Sequence, residues 1–303
     1  MATDPRSTAA GSPPALPASA APPAPTARDP LLRRSAWEIV QLARHPQRPK
    51  APDFIEHLIT DFTELHGDRL FRDDPAMLAG FGWFEARPVA VIGPYKGRNT
   101  KENLAHNFGM PNPEGYRKAL RVMRLGAKFG RPVLSFIDTP AAFPGADAEE
   151  RGQAQAIAQN IAEMSVLPVP IIVVITGEGG SGGALAMGVG DVVLMLQNSI
   201  YTVIPPEGCA AILWRDAGRA QEAAEALRLT AEDLRGLGVI DEIVPEPAEG
   251  AQADPDAAMA AVREAVARHL AALEALPAET MPARRYEKYR RMGRQVERLS
   301  RSR

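Results

Sequence analysis

The chain has 303 residues, of which 45% are hydrophobic and 24% charged, and its formal net charge is −2 at pH 7. These values are ordinary for a globular protein, and the charge argues neither for nor against a polyanionic partner. The single cysteine, Cys209, excludes an internal disulfide or a cysteine-rich zinc site. We expect a cytoplasmic protein, because no apolar run is long enough to span a membrane and no signal-peptide core is present.

The two ends of the chain differ in composition from the rest. Residues 1–30 contain nine alanines and eight prolines, which predicts a disordered tail. Residues 284–303 contain nine Arg or Lys against two Glu, and the segment 286–303 is predicted as a basic C-terminal tail. It has no interleaved aromatic pattern beyond Tyr286 and Tyr289, so no nucleic acid is expected as partner. One domain is predicted over 31–285, beginning with helices.

Apolar spacing along this domain predicts alternating helices and strands. In the first half, the predicted elements are helices at 31–42 and 53–65 (the second capped by Asp53), strands at 77–85 and 88–93, an irregular loop at 93–113, a helix at 114–130 and a strand at 131–138. In the second half, they are a helix at 149–166, strands at 171–175, 192–196, 200–204 and 239–244, helices between 205 and 237, and a helix at 254–276. This order indicates the α/β class.

A glycine-rich segment follows the most apolar predicted strand. Ile171–Ile175 is an unbroken β-branched run, and five glycines follow at 177, 179, 180, 182 and 183. Such glycines let backbone N–H groups approach a ligand closely, and a helix N-terminus favours negative charge. The segment therefore predicts a site for an oxyanion or a phosphate, with a ligand-free strand-to-helix crossover as the alternative.

Two interpretations of this segment require a partner residue elsewhere. Gly177, Gly179 and Gly182 match the dinucleotide-binding fingerprint, but the end of the next predicted strand lacks the acidic residue that this fingerprint needs. Ser181 lies in a G-x-S-x-G sequence, as in serine hydrolases, and would need a base. The only histidine after it is His269, and an earlier histidine or a lysine stays open as that base.

A third interpretation needs no nucleophilic side chain. The backbone N–H groups around Gly182–Ala184 would stabilise a developing oxyanion, and the substrate or a cofactor would supply the rest. One oxyanion-hole donor is typically worth about 10²–10³ in rate, so such a segment can be the catalytic device by itself. The shortage of well-placed histidines and of a carboxylate pair favours this interpretation over the hydrolase.

Seven segments together closely resemble the carboxyltransferase α subunits of bacterial multisubunit acetyl-CoA carboxylases. They are LARHPQRP (42–49), KGRNTKEN (96–103), NFGMPNPEGYRKALR (107–121), FIDTPAAFPG (136–145), EERGQAQAIA (149–158), GEGGSGGALA (177–186) and PPEGCAAILW (205–214). The resemblance covers about residues 35–285 and leaves both ends outside.

The resemblance implies a crotonase-like ββα superhelix (the ClpP/crotonase fold) within the α/β class. It also implies transfer of a carboxyl group from carboxybiotin, on a biotin carboxyl carrier protein, to acetyl-CoA, which gives malonyl-CoA in the first committed step of fatty acid synthesis. A β subunit would complete an α₂β₂ heterotetramer and supply the hole for the thioester enolate and a zinc ribbon. A separate biotin carboxylase would consume ATP, and no metal is expected in this chain.

The resemblance also implies roles for individual residues. The backbone N–H groups of Gly182, Gly183 and Ala184 would bind the oxyanion. The biotin-side pocket would be formed by Asp138, Thr139, Pro140, Phe143, Pro144, Gly145, Gly179, Gly180 and Ser181. Candidates for binding the CoA phosphates are Lys96, Arg98 and Lys101. Ala141 stands where the family usually has glycine, and it would be strained by about 1 kcal/mol or more if the position required a positive φ.

Overall fold

The computed structural model describes residues 34–293, so the predicted tail at 1–30 and residues 294–303 lie outside the described residues. Within the described range, eight strands form a single sheet. The strands are β1 (Ile59–Glu64), β2 (Met77–Phe84), β3 (Arg87–Pro94), β4 (Val133–Thr139), β5 (Ile171–Gly180), β6 (Val192–Leu196), β7 (Ile200–Thr202) and β8 (Glu242–Val244). Their order is β1-β2-β3-β4-β5-β6-β8, with β7 also paired to β5.

The helices alternate with these strands along the chain. They are α1 (Ala36–Ala43), α2 (Ala51–Leu58), α3 (Thr100–Ala105), α4 (Pro113–Lys128), α5 (Ala146–Glu150), α6 (Gln153–Val166), α7 (Ser181–Leu185), α8 (Pro206–Trp214), α9 (Ala220–Leu227), α10 (Ala231–Gly236), α11 (Pro255–Glu274) and α12 (Met281–Arg291). Among residues 34–293, no helix combines the length and the apolar character needed to cross a membrane.

The sheet changes from antiparallel to parallel at β3. β1, β2 and β3 pair antiparallel, whereas β3 with β4, β4 with β5, β5 with β6 and β6 with β8 pair parallel. Every residue of β4 and β5 is buried. Strands buried on both faces are apolar throughout instead of alternating, which accounts for the β-branched run in β5.

Helices cover both faces of the sheet. On one face, α4 and α6 bury side chains such as Tyr116, Met123 and Met164 against the strands. On the other face, α2 and α11 bury side chains such as Phe54 and Val266. Helices on both sides of a mainly parallel sheet confirm the predicted α/β class.

The helix predicted over residues 53–65 is wrong in its second half. The helix α2 begins after Lys50, and Asp53 is its third residue, where its carboxylate accepts the Lys50 N–H at 2.7 Å. After Leu58 the chain continues as β1, paired antiparallel with β2. The edge of the β2–β3 hairpin offers backbone hydrogen bonds to this segment, and this pairing overrides the helical spacing of its apolar residues.

Two further segments differ from the sequence-based expectation. The loop predicted at 93–113 contains the short helix α3, whose first turn is capped by the Asn99 side chain accepting the Glu102 N–H at 3.0 Å. The single helix predicted over 149–166 is divided into α5 and α6. The division falls at Gly152, whose φ is 87°, a left-handed conformation that glycine adopts without strain.

The basic C-terminal segment begins inside a packed helix. α12 continues to Arg291, and its buried Arg285 donates hydrogen bonds to Asp191 and to the Val169 carbonyl. The Tyr289 hydroxyl donates to the Gly188 carbonyl at 2.9 Å. Residues 286–291 of the predicted tail therefore belong to a helix that is fixed to the loops beside the sheet.

Candidate active site

The glycine segment lies where β4 and β5 end at the carboxyl edge of the parallel sheet. β5 runs farther than predicted, beyond Ile175 to Gly180. Its register against β4 changes on the way, because Ile137 faces Ile175 whereas Thr139 faces Gly179. Two steps along β4 therefore match four steps along β5, and β5 bulges over the residues between.

Side chains from outside the strand satisfy the backbone of this bulge. Asp138 is buried, and its Oδ1 accepts the Glu178 N–H at 3.1 Å. The Thr176 carbonyl accepts a hydrogen bond from Arg48 Nε at 2.8 Å. A Cβ on Gly177 would lie 2.5 Å from Asp138 Oδ1, so only glycine leaves room for this carboxylate. Asp138 and Arg48 thus stabilise a local shape that a regular strand would not adopt.

Helix α7 follows the bulge directly and packs tightly against the loop after β4. A Cβ on Gly180 would lie 1.8 Å from the Pro140 carbonyl oxygen, and a Cβ on Gly183 would lie 2.4 Å from the Ala142 nitrogen. A Cβ on Gly182 would meet only Ile157, at an ordinary 3.5 Å. Close backbone packing therefore explains the glycines at 180 and 183, but not the one at 182.

The predicted hydrogen-bond donors lie at the start of α7. The first N–H groups of any helix have no acceptor within the helix, and here they belong to the residues that begin at Ser181. Gly183 and Ala184 are buried, whereas Gly182 is half-buried and Ser181 is exposed. A small group that reaches this end of the helix would meet preorganised donors at a place where negative charge is favoured.

The loop after β4 forms a wall beside α7. The Thr139 hydroxyl donates to the Ala141 carbonyl at 2.7 Å. The Gln153 amide donates to the carbonyls of Phe143 and Pro111 at 2.9 Å each, which fixes the path of the loop. Ala141 is not among the described residues with positive φ, so the strain considered for this alanine does not arise. Pro144 and Gly145 continue the wall, with Pro144 exposed.

Charged side chains surround the bulge at Glu178. Glu178 is 6% exposed, and its two oxygens accept hydrogen bonds from Arg44 Nε at 2.6 Å and from Lys96 Nζ at 2.7 Å. Lys96 Nζ also lies 3.3 Å from Asp138 Oδ1. Burial raises the pKa of the Glu178 carboxyl, but Lys96 and Arg44 outweigh it and the pKa lies below its ordinary value. Burial likewise lowers the pKa of Lys96, but Asp138 and Glu178 outweigh it and raise the pKa overall.

The three residues considered for CoA phosphates differ in their partners and exposure. Lys96 is engaged with carboxylates at the strand ends. Arg98 is half-exposed and pairs with Asp53 and, at 3.3 Å, with Glu56. Lys101 lies exposed on α3. Binding of CoA phosphates by these side chains stays a prediction.

Ser181 has the backbone of a strained turn. Its φ is 51°, an uncommon conformation for a residue with a side chain. Within residues 34–293, no described hydrogen bond joins Ser181 to a histidine. His269 instead lies 2.7 Å from Glu242, and His66 lies 2.9 Å from Asp73. The geometry favours the interpretation in which backbone N–H groups are the catalytic device.

Sequence reasoning missed the charged side chains that fix the bulge of β5. Arg44 and Arg48 come from the LARHPQRP segment, and Glu178 lies within the glycine run itself. A charged residue among five glycines after a buried strand was the available signal, because a carboxylate there must find a cation. Its partners could not be found from sequence spacing, since Arg44 lies 134 positions away from Glu178.

Comparison with known proteins adds independent information on this arrangement. The family described as "Acetyl co-enzyme A carboxylase carboxyltransferase-like" matches residues 28–293. The acetyl-coenzyme A carboxylase carboxyl transferase subunit alpha of Geobacter sulfurreducens is 61% identical over 263 residues, which are 87% of this chain and 82% of that protein. The chain belongs to this carboxyltransferase family. The same subunit of Anoxybacillus flavithermus is 55% identical over 263 residues, 87% of this chain and 81% of that protein. The predicted enzyme class, a carboxyltransferase subunit alpha of acetyl-CoA carboxylase, is confirmed.

Solved structures establish the fold of this carboxyltransferase alpha chain. Transcarboxylase 12S superimposes with a TM-score of 0.61 at 17% identity, over 80% of this chain and 45% of that one. A Pseudomonas malonate decarboxylase hetero-dimer gives a TM-score of 0.58 at 18% identity, over 76% of this chain and 91% of that one. The beta subunit of geranyl-CoA carboxylase from P. aeruginosa gives a TM-score of 0.60 at 16% identity, over 82% of this chain and 46% of that one. The crotonase-like fold implied by the sequence resemblance is confirmed.

Proposed function

We propose that this chain provides the biotin half of a shared carboxyl-transfer site, in which carboxybiotin and acetyl-CoA give biotin and malonyl-CoA. The observation that carries the proposal is the start of α7, where the N–H groups of Gly182, Gly183 and Ala184 lie beside the loop after β4. In this reaction the bond between the carboxyl carbon and the ureido nitrogen breaks, a carbon–carbon bond to the acetyl group forms, and the proton lost by the acetyl carbon is balanced by one gained at the ureido nitrogen. Biotin, when bound, supplies the ureido nitrogen that carries the carboxyl group.

The residues at this end of the sheet fit a small planar group with an electronegative oxygen. Gly179 and Gly180 present no side chains beside the wall formed by Thr139, Pro140 and the segment Phe143–Gly145. The donors of α7 would bind the ureido oxygen, where negative charge grows as the carboxyl group leaves. Because these donors are fixed in the fold, they need little reorganisation during the reaction, which is the main source of such stabilisation.

The acceptor half of the reaction is assigned to a second subunit. Removal of a proton from the acetyl group creates an enolate, which needs its own donors, and we assign these to a carboxyltransferase β subunit in an α₂β₂ assembly. The biotin would arrive on a biotin carboxyl carrier protein, and a separate biotin carboxylase would spend ATP to load it. Among residues 34–293, no group of three or more His, Cys, Asp or Glu side chains is placed to hold a metal ion.

The proposal is tested by carboxyl transfer from malonyl-CoA to free biotin. The assay is run with this chain alone, with the β subunit alone, and with both after complex formation has been checked by size-exclusion chromatography. We expect transfer only with the complex. Transfer by this chain alone would contradict the division of the site between subunits. A complex that forms but does not transfer would make this chain a scaffold.

A further inference from the structure

The geometry points to Glu178 as a positioning residue of the carboxyl-transfer site, acting through the bulge of β5 on the donors of α7. The inference rests on the proposed function of α7 and concerns what holds these donors in place. Glu178 lies two residues before Gly180 and three before the start of α7. Arg44 and Lys96 bind its carboxylate, and Glu178 lines a small cavity together with Pro140 of the wall loop, Gly179 and Gly180.

The buried Glu178 carboxylate contributes more to the local geometry than to the free energy of unfolding. Taking a carboxylate out of water costs several kcal/mol, and a buried ion pair often contributes no net stability compared with apolar residues of the same volume. A carboxylate that is bound by cations on both oxygens does, however, fix the position of the backbone that carries it. Its two oxygens are bound by cations from different elements, Arg44 at the end of α1 and Lys96 just after β3.

The same ion network also links the neighbouring strand to β5. Asp138 at the end of β4 contacts Lys96 Nζ at 3.3 Å and accepts the Glu178 N–H at 3.1 Å. Arg44 continues the network outward to Glu207 at the start of α8, at 2.6 Å. Residues from three strand ends and two helices are therefore joined in one ion network, in which Arg44 and Lys96 bind the Glu178 carboxylate directly. Movement of that carboxylate would move the bulge, and with it the first turn of α7.

Helix α7 has little room to move relative to the wall loop. The ion network around Glu178 therefore affects where the donors of α7 lie during the reaction. Gly180 and Gly183 already pack against the backbone of the wall loop, so α7 can move only away from the loop. A misplacement of about 1 Å can cost about 10²-fold in rate even when the altered residue does not touch the reacting atoms. Lys96 thus supports the site through its ion pairs with Glu178 and Asp138.

The test compares Glu178→Gln with Asp191→Asn in the complex with the β subunit. Asp191 is a matched control, because it is also a buried carboxylate gripped by an arginine, Arg285, at 2.7 Å. It binds the N–H of Ile171, at the opposite end of the same strand. Both variants are measured for malonyl-CoA to biotin transfer, well below their unfolding temperatures.

We expect Glu178→Gln to lower kcat by about 10²-fold with little change in KM for malonyl-CoA, because donors that act mainly in the transition state are displaced. Asp191→Asn is expected to lose stability but to keep kcat. Equal kcat values in the two variants, or a change confined to KM, would overturn the inference. Failure of the unmodified complex to transfer carboxyl groups would instead refute the proposed function itself.

A second pair of variants keeps the inference testable if Glu178→Gln does not fold. Arg44→Met removes one cation from the carboxylate, whereas Arg44→Lys keeps a cation but loses the guanidinium that bridges Glu178 and Glu207. We expect the kcat of Arg44→Lys to be at least tenfold higher than the kcat of Arg44→Met. Equal kcat values in both, at wild-type level, would show that the grip on Glu178 does not position the site.

Discussion

The substitution Gly183→Ala tests the active-site geometry most directly. The new Cβ would lie 2.4 Å from the Ala142 nitrogen and 2.5 Å from the Ala141 carbonyl carbon, whereas ordinary contacts begin at 3.4 Å. The atoms in the way belong to the backbone and cannot rotate aside. Helix α7 and the wall loop must therefore separate by about 1 Å, which is the difference between these distances.

Two free energies of opposite sign decide the effect of Gly183→Ala on stability. Overpacking of this kind costs about 1–3 kcal/mol. Replacing a helical glycine by alanine returns at most about 1 kcal/mol. With the full gain, the net loss is about 0–2 kcal/mol, so we expect a fall in Tm of at most a few degrees for a domain of this size. Although the loss of stability is small, kcat should fall by about 10²-fold, because the donors of α7 are displaced.

The assay is malonyl-CoA to biotin transfer by the complex with the β subunit, accompanied by thermal unfolding. Gly236→Ala is the activity control, since its Cβ would meet nothing within 4 Å at the end of α10. Gly182→Ala is a control for stability within α7 itself, because its Cβ would meet only Ile157 at 3.5 Å. If Gly183→Ala forms the complex, unfolds at the wild-type temperature and keeps its kcat, the reasoning about close packing and donor placement is refuted.

Three further outcomes are expected. Ser181→Ala should keep most of the transfer activity, whereas loss of nearly all activity would favour a nucleophilic serine. Ser181→Gly should raise the free energy of unfolding in urea by about 1 kcal/mol, because the φ of 51° is left-handed and suits glycine; an unchanged value would mean that the turn is not strained. Hydrogen bonds from His269 and Arg268 lower the pKa of Glu242 from 4.5 to about 2. Its contribution to stability should therefore be complete above about pH 4.5 and be lost as the pH falls toward 2, so the stability difference from Glu242→Gln should shrink over that range.

Sequence reasoning was correct for features that depend on neighbouring residues, and it failed for features that depend on contacts between distant segments. The buried run at Ile171–Ile175 is a local feature and predicts the strand β5 correctly, whereas the continuation of β5 to Gly180 was not predicted. The error at 53–65 arose because a helical spacing of apolar residues was compatible with a strand once β2 was available for pairing. The bulge depends on Asp138, Arg48 and Lys96, which come from three separate segments. No spacing rule within one segment could have predicted that they meet.

The glycine run illustrates why fold and function are difficult to separate in this family. Gly177 leaves room for the Asp138 carboxylate, Gly179 for the Tyr201 ring, and Gly180 and Gly183 for the wall loop. Four of the five glycines are therefore required by packing alone. The same close packing brings the wall next to the N-terminus of α7, which is what a small planar ligand needs. Gly182 is the exception, because the fold would accept a side chain there. A ligand that approaches the half-buried N–H of that residue is therefore the best physical reason for a glycine at this position.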